Sequence, residues 1–330
     1  MPVHNAEPYL DEAIESILNQ TFRDFEFVIL DDGSTDRSTE ILRGWAAKDD
    51  RIRLHRQEKN SGPAESSNQV VRHASGTLIA RMDADDVSHP ERLARQVRLL
   101  EGRPDVGLIG TLCNVIDKNG RVVRTRDVWR LKRRAWFAPF PHGSVMYRRA
   151  LFDLAGGYRK QSVYWEDQDL FLRMSSHTRV VTIPEPLYNH RQSPVSTRLV
   201  SNADFVEQSI DLMYRCIDNL RIGRGYDDVL NRGPRTEAVD PRVFVSLGSL
   251  QLWAGERPQY FVRMLRRGDI HPDFASISAL AWTLWAALSP GSLRLFMRGL
   301  SNMRNATAGH LSETAVDWAM PHALSKRSEP

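Results

Sequence analysis

Apolar positions along the first 115 residues follow two alternating rhythms. From Pro8 to Gln20, Leu10, Ala13, Ile14, Ile17 and Leu18 recur at i, i+3, i+4 spacing, which predicts an amphipathic helix. Phe25 to Leu30 is a short, nearly continuous apolar run with β-branched residues, as expected of a buried strand. It runs into Asp31-Asp32-Gly33-Ser34, read as a turn, and a second helix follows through Ile41, Leu42 and Trp45. Ile52 to His55 predicts a brief strand. Pro63 to Ala74 predicts a helix stopped by Gly76. Thr77 to Met82 predicts another strand, ending in Asp83-Ala84-Asp85-Asp86. Pro90 then opens a helix, where its missing N–H is tolerated. Val106 to Ile109 resumes the sheet, and Asp117-Lys118-Asn119-Gly120 has the composition of a hairpin turn.

Strand and helix alternating through short links predict an α/β fold, Rossmann-like, with a mostly parallel sheet covered by helices on both faces. Ligands of such sheets collect beyond the carboxyl ends of the strands. Both acidic clusters, Asp31-Asp32 and Asp83 to Asp86, fall at such ends. From about residue 201 the pattern is helical only: Phe205 to Leu220, Val243 to Trp253, Tyr260 to Arg266, Ile277 to Leu288 and Leu293 to Met303. Two regions are therefore expected, 1–200 and a helical C-terminal region over 201–330.

Composition adds exclusions. The 330 residues are 41% hydrophobic and 26% charged, which excludes a disordered or collagenous chain. The mean hydropathy is −0.43, and no apolar run approaches the roughly 20 residues that span a bilayer. Met1-Pro2-Val3-His4-Asn5 has no basic or apolar leader pattern, so the expectation is a cytoplasmic protein. Cys113 and Cys216 form no framework or metal-type spacing. A formal charge of +4 is too small to imply nucleic-acid binding. It is unevenly spread: Arg121 to Lys160 holds eleven basic residues against Asp127 and Asp153, a net +9, leaving −5 for the rest. A solvated basic face and a surface for an anionic partner, such as a phosphorylated acceptor or an acidic membrane, both fit that stretch.

Carboxylates suit hard divalent cations, which are usually held by one or two of them together with substrate phosphates. Asp83 and Asp85, two apart beyond a strand, can serve a diphosphate-bound metal, and Asp31-Asp32 can hydrogen-bond a base or ribose. A third set, Trp165-Glu166-Asp167-Gln168-Asp169, opens a helix, where carboxylates also complement the macrodipole.

The ordered series Pro2-Val3-His4-Asn5-Ala6-Glu7-Pro8-Tyr9-Leu10, Val28 to Asp36, Asn60-Ser61-Gly62, Asp83-Ala84-Asp85-Asp86 with Pro90-Glu91-Arg92-Leu93, His142 to Met146, and Trp165-Glu166-Asp167 resembles the family 2 glycosyltransferases over roughly residues 1–198. The resemblance implies a GT-A fold for 1–200 and inverting transfer of a sugar from a nucleotide-diphosphate donor to an acceptor hydroxyl. It implies donor contacts from Pro2, His4, Asp32, Asp83 and Ala84, with His4 lying against the base. Mn²⁺ or Mg²⁺ would be held by Asp85 and Asp83, with His142 assisting. Asp167 would be the general base, and Glu166 and Trp165 would line the acceptor side. The implied acceptor is a glycan or a lipid-linked molecule in cell-surface polysaccharide or glycan synthesis.

Two positions depart from the family pattern. His4 stands where an aromatic residue is usual, and Ser67 where a basic or apolar one is. The family also has a hydrophobic strand before Pro2-Val3, so the first strand is expected to be shortened here and the start assigned late. Ile277 to Leu288, with Trp282 and Trp285, followed by Arg294, Arg298 and Arg304, is apolar and basic but too short to span. It suits either packing or peripheral attachment to the inner face of the plasma membrane.

Asp83-Ala84-Asp85-Asp86-Val87 also fits the nucleophile motif of haloacid-dehalogenase-like phosphatases, but that reading leaves Asp31-Asp32 and Glu166-Asp167 unused. An EF-hand fails, with Ser88 at the sixth loop position and Ala94 at the twelfth. The remaining rival is a non-catalytic nucleotide-sugar- or carbohydrate-binding protein on the same fold.

Overall fold

The structure, a computed structural model, describes residues 1–125, 140–162 and 165–191, parts of 211–232, and 316–318. The chain divides into two compact units, Met1–Gln192 with Thr314–Pro330, and Ser193–Glu313. In the second, Asp227–Arg232 is helical (α7, numbered in chain order). Of the expected C-terminal helices, only scattered residues of Phe205 to Leu220 are described, and these are helical; the others, Ile277 to Leu288 included, lie outside the described residues. Among the described residues no helix is long and apolar enough to cross a membrane.

The first unit opens with β1 (Pro2–Val3), α1 (Leu10–Leu18), β2 (Phe27–Asp32), α2 (Ser38–Ala46) and β3 (Ile52–Gln57). β1, β2 and β3 form a small all-parallel sheet. Beside β2, Met1 N donates to Val28 O at 2.7 Å and Leu30 N to Met1 O at 3.0 Å. The buried stripe of α1 is Leu10, Ala13, Ile14, Ile17 and Leu18, the spacing read from the sequence. It packs on Phe27, Ile29, Leu42 and Ile52. At about 1.5–3 kcal/mol for each large apolar side chain removed from water, this contact accounts for much of the helix's stability.

α3 (Pro63–His73) follows, then β4 (Leu78–Ala80), β5 (Val87–Ser88), α4 (Arg92–Gly102), β6 (Val106–Ile116) and β7 (Val122–Thr125). β8 (Met146–Arg148), α5 (Arg149–Ala155), α6 (Glu166–Ser175), β9 (Arg179–Arg191) and β10 (Val316–Trp318) complete the unit. The second sheet runs β10-β9-β6-β8-β4, with β5 added to β9 and β7 to β6. The turn between β6 and β7 is the expected hairpin: Gly120 sits at φ 77° and donates to Asp117 O.

Helices do cover both faces of this sheet. Leu108, Tyr147 and Val180 face α3, α5 and α6, while their neighbours Ile109, Met146 and Val181 face α4. The expectation of a mostly parallel sheet is corrected. Within the second sheet only β6–β9 is parallel, and the other described ladders are antiparallel. Two of these ladders come from β8, three residues long, which enters between β6 and β4 against both, and the others from β5, β7 and β10 added to β9 and β6. A strand as short as β8 carries no periodicity. Val316–Trp318, in the stretch expected to be helical, is a strand antiparallel to β9.

The basic stretch is partly structural. Arg148 donates to Leu100 O, Arg103 O and Val106 O, and Arg149 to Val71 O, Ala74 O and Gly76 O. Each satisfies carbonyls that a helix C-terminus leaves open. Arg126 to Arg134 lie outside the described residues.

Candidate active site

The first cluster gathers at the end of β2. Asp31 and Asp32 are the last residues of the strand, not turn residues, and both are buried. They do different work. Asp31 Oδ1 accepts from Ser34 N (3.0 Å), and Oδ2 from Thr39 Oγ1 (2.5 Å), with Arg56 Nε at 3.4 Å, so it is consumed in shaping the turn. Asp32 Oδ1 accepts from Ser61 N (2.7 Å), Ser61 Oγ (3.2 Å) and Gln57 Nε2. Gly33, at φ 68°, lets this turn press on the neighbouring loop, since a Cβ there would meet Asn60 N at 2.8 Å. His4 Nδ1 lies 2.8 Å from Asp32 O, a contact that requires the ring to carry its proton on Nδ1. Pro2 pairs with Leu30 in the same sheet. Ser67 faces inward, its hydroxyl donating to Pro63 O at 2.6 Å within α3.

The second cluster lies between β4 and β5. Asp83 Oδ1 meets Arg81 Nη2 at 2.9 Å, and Asp83 N donates to Tyr188 Oη at 3.3 Å. Burial alone would raise the Asp83 pKa, but Arg81 and His142 hold it below the ordinary carboxylate value. Asp85 is the opposite case. Burial, then the charges of Asp86 and Asp83, push it up to about 7. Asp86 is structural, its Oδ1 accepting from Arg191 N (2.7 Å) and Oδ2 lying 3.3 Å from His190 Nδ1. Arg191 also binds Asp85 O (2.7 Å) and Glu12 Oε2 (2.5 Å), tying the acidic loop to α1. Ala84 packs against the α1 core.

Arg92, fully buried, holds the same loop from below. Its guanidinium donates to Ser88 Oγ (2.7 Å), Arg81 O (3.0 Å) and Gly143 O (3.0 Å). Without a carboxylate partner in these bonds, burial lowers its pKa to about 10. Gly143 abuts the site: a Cβ there would stand 1.8 Å from Tyr188 Oη and 2.8 Å from Asp83 Oδ2.

His142 occupies the short 3₁₀ turn His142–Ser144. Its Nε2 accepts from Arg81 Nε (3.3 Å) and lies 2.8 Å from Tyr158 Oη. Burial and then the Arg81 charge lower its pKa, which keeps the ring neutral. Of the expected metal trio Asp83, Asp85 and His142, both Asp83 and His142 are engaged by Arg81, and among the described residues no three such side chains converge as a metal cage. Asp85 is a carboxylate suited to a cation, since a group held near 7 by burial and by its neighbours' charges is one that a cation would keep ionised.

The third cluster opens α6. Glu166 Oε2 is buried without a hydrogen-bond partner among the described residues, and burial followed by the Asp167 charge pushes Glu166 up to about 7. Asp167 Oδ1 accepts from Gln168 N at 2.7 Å. His142 feels the charges of both Asp83 and Asp167, so the second and third clusters share one electrostatic neighbourhood. Asp169 is structural, buried and paired with Arg173 at 2.6 Å. Trp165, expected on the acceptor side, stands at the N-terminal end of α6 and is only 2% exposed. Arg81, Arg92, Arg191, Gln57 and Tyr188 were not singled out from the sequence. Two of them left a signal: Arg81, a charge directly after the apolar run Leu78-Ile79-Ala80, and Arg92, inside the quoted Pro90-Glu91-Arg92-Leu93 segment.

Comparison with known proteins decides the family. The profile of Glycosyl transferase family 2 matches residues 1–160. EpsE of Bacillus subtilis, described as a glycosyltransferase, is 34% identical over 229 residues, which is 67% of this chain and 82% of EpsE. This chain belongs to glycosyltransferase family 2. The O-antigen biosynthesis glycosyltransferase WbnJ of Escherichia coli is 29% identical over 210 residues, 60% of this chain and 80% of WbnJ. Among solved structures, the mannosyltransferase PcManGT of Pyrobaculum calidifontis, determined with GDP-Man and Mn²⁺, matches with a TM-score of 0.54. It is 19% identical and covers 94% of this chain and 86% of that one, a likeness of GT-A fold. The phosphatase reading falls with this membership. The chain is a glycosyltransferase of this family, with its acidic clusters at the strand ends where the fold collects ligands.

Proposed function

We propose that this glycosyltransferase inverts the configuration of the sugar it transfers from a nucleoside-diphosphate donor to an acceptor hydroxyl, in the synthesis of a cell-surface polysaccharide. The O-antigen role that WbnJ carries in its name supports the glycan setting. One observation carries the chemistry: carboxylates suited to the donor phosphates and to the acceptor proton act on one common group, His142.

In this reading His4, Pro2, Asp32 and Ala84 receive the nucleoside, with Asp32 as the hydrogen-bonding anchor. Asp85, assisted by Asp83, would hold Mn²⁺ or Mg²⁺ on the diphosphate, where the cation supplies neutralisation of the charge on the leaving group. Arg81 keeps Asp83 ionised and His142 neutral. Asp167 takes the proton from the acceptor hydroxyl as its oxygen bonds to the anomeric carbon. The bond from that carbon to the diphosphate oxygen breaks, its electron pair leaving with the nucleotide. A positioned base of this kind contributes about 10²–10⁴-fold. Glu166 borders the acceptor side, and a lipid-linked acceptor would bring the enzyme to the inner face of the membrane.

The test compares Asp167→Asn and Asp85→Ala with the wild type, measuring donor hydrolysis, sugar transfer and donor affinity with and without Mn²⁺. Asp167→Asn is expected to lose transfer while donor affinity stays within a few-fold. Asp85→Ala is expected to lose the metal-dependent part of donor binding. Near-normal transfer by Asp167→Asn would overturn the assignment of the base, and wild type inert toward every nucleotide sugar would support a non-catalytic binder instead.

A further inference from the structure

Asp32 presents an unequal carboxylate. Its Oδ1 accepts three donors, Ser61 N at 2.7 Å, Ser61 Oγ at 3.2 Å and Gln57 Nε2, which fill the roughly two lone-pair positions of one carboxylate oxygen. Its Oδ2 accepts none among the described residues. The arrangement is braced: Gln57 Nε2 also donates to Ser61 Oγ at 2.7 Å, and the close approach of Gly33 to Asn60 fixes the loop that carries Ser61. Gln57 ends β3 in register with Asp32 at the end of β2, so the pairing of two parallel strands sets the clamp.

We propose that Gln57 and Ser61 determine the donor's base by leaving Asp32 a single free oxygen, which selects an imide pyrimidine, uracil or thymine, over guanine. This rests on the reading of Asp32 as the nucleoside anchor. Uracil and thymine offer one N3–H between two carbonyls, a donor that one carboxylate oxygen satisfies. Guanine offers N1–H and N2–H side by side, a two-donor edge that fits a carboxylate with both oxygens free, as a guanidinium does. With Oδ1 saturated, the two guanine donors must share Oδ2, a bent, bifurcated pairing that is weaker than the single linear bond of an imide N3–H. Cytosine and adenine bring a ring-nitrogen lone pair against the carboxylate, where it is repelled. His4 does not alter this choice, because its Nδ1 is engaged by the backbone carbonyl of Asp32 and not by the carboxylate.

The test is a binding series on the full chain with Mn²⁺, using UDP, dTDP, GDP and ADP, read by calorimetry. Either UDP or dTDP is expected to bind about ten-fold more tightly than GDP and ADP, within the cost of poorly paired or repelled polar groups in a desolvated site. The two pyrimidine arms separate uracil from thymine. In the double variant Gln57→Leu with Ser61→Ala, Oδ1 keeps only the backbone N–H of position 61, and the preference over GDP is expected to shrink several-fold, with folding checked by circular dichroism. GDP binding as tightly as UDP and dTDP to the wild type overturns the base selection while leaving the nucleotide-sugar reading standing. Failure of all four diphosphates to bind overturns both. A folded double variant with the wild-type preference overturns the role of Gln57 and Ser61.

Discussion

Replacing Glu166 by glutamine removes a titration that the fold imposes on the opening turn of α6. Burial and the Asp167 charge raise Glu166 from an ordinary 4.5 to about 7, so the native state holds a proton that the unfolded chain has already released. The folded value is the higher one. Its stabilising effect is therefore fully present below about 4.5 and lost as pH rises through about 7. At about 1.4 kcal/mol for each unit, the loss between about pH 5.5 and about pH 8 amounts to roughly 2 kcal/mol. A glutamine amide cannot ionise, so the Glu166→Gln variant lacks this loss. Asp85 titrates in the same direction but is common to both proteins, and the difference between them isolates Glu166. Urea unfolding of wild type and variant at the two pH values measures it, with the variant gaining about 2 kcal/mol on the wild type at the higher pH. Parallel pH profiles would show that Glu166 is ordinarily ionised and that its environment has been misjudged.

The site's packing and its turn make two further predictions. Gly143→Ala drives a methyl into Tyr188 Oη and Asp83 Oδ2; a stability loss of about 1–3 kcal/mol with weakened donor binding is expected, and thermal melting with nucleotide titration measures both. Asp31→Ala strips the turn of three contacts, and a loss of about 2 kcal/mol is expected in urea unfolding while nucleotide affinity stays near wild type, because Asp31 braces the strand end and it is Asp32 that anchors the nucleoside in the proposed reading.

The acidic loop is held by arginines more than by acids. Arg81 pairs with Asp83, Arg92 bonds the carbonyls of Arg81 and Gly143, and Arg191 bonds both Asp85 and Asp86 through backbone or side chain. Three neighbouring carboxylates would otherwise repel one another. Asp85, whose side chain takes no part in these bonds, is the one raised to about 7, by burial first and then by the charges of Asp86 and Asp83.

The sequence by itself determined the parts that depend on local periodicity. The buried stripe of α1, the apolar run of β2, Pro63 at the start of α3 and the Gly120 hairpin were all legible, because each is set by spacing or by one residue's allowed backbone. The positions of the acidic clusters were legible too, since strand ends can be read from where apolar runs stop. Only the tertiary structure decided what each acid does. Asp31 and Asp32 are adjacent and chemically identical, yet one closes a turn and the other faces Gln57 and Ser61, because successive strand residues point to opposite sides. Nor did the sequence decide the antiparallel insertion of β8, the burial of Trp165 or the capture of His142 by Arg81. These follow from contacts between residues far apart in the chain. A local pattern carries no record of such contacts, and the electrostatics of the site are made by them.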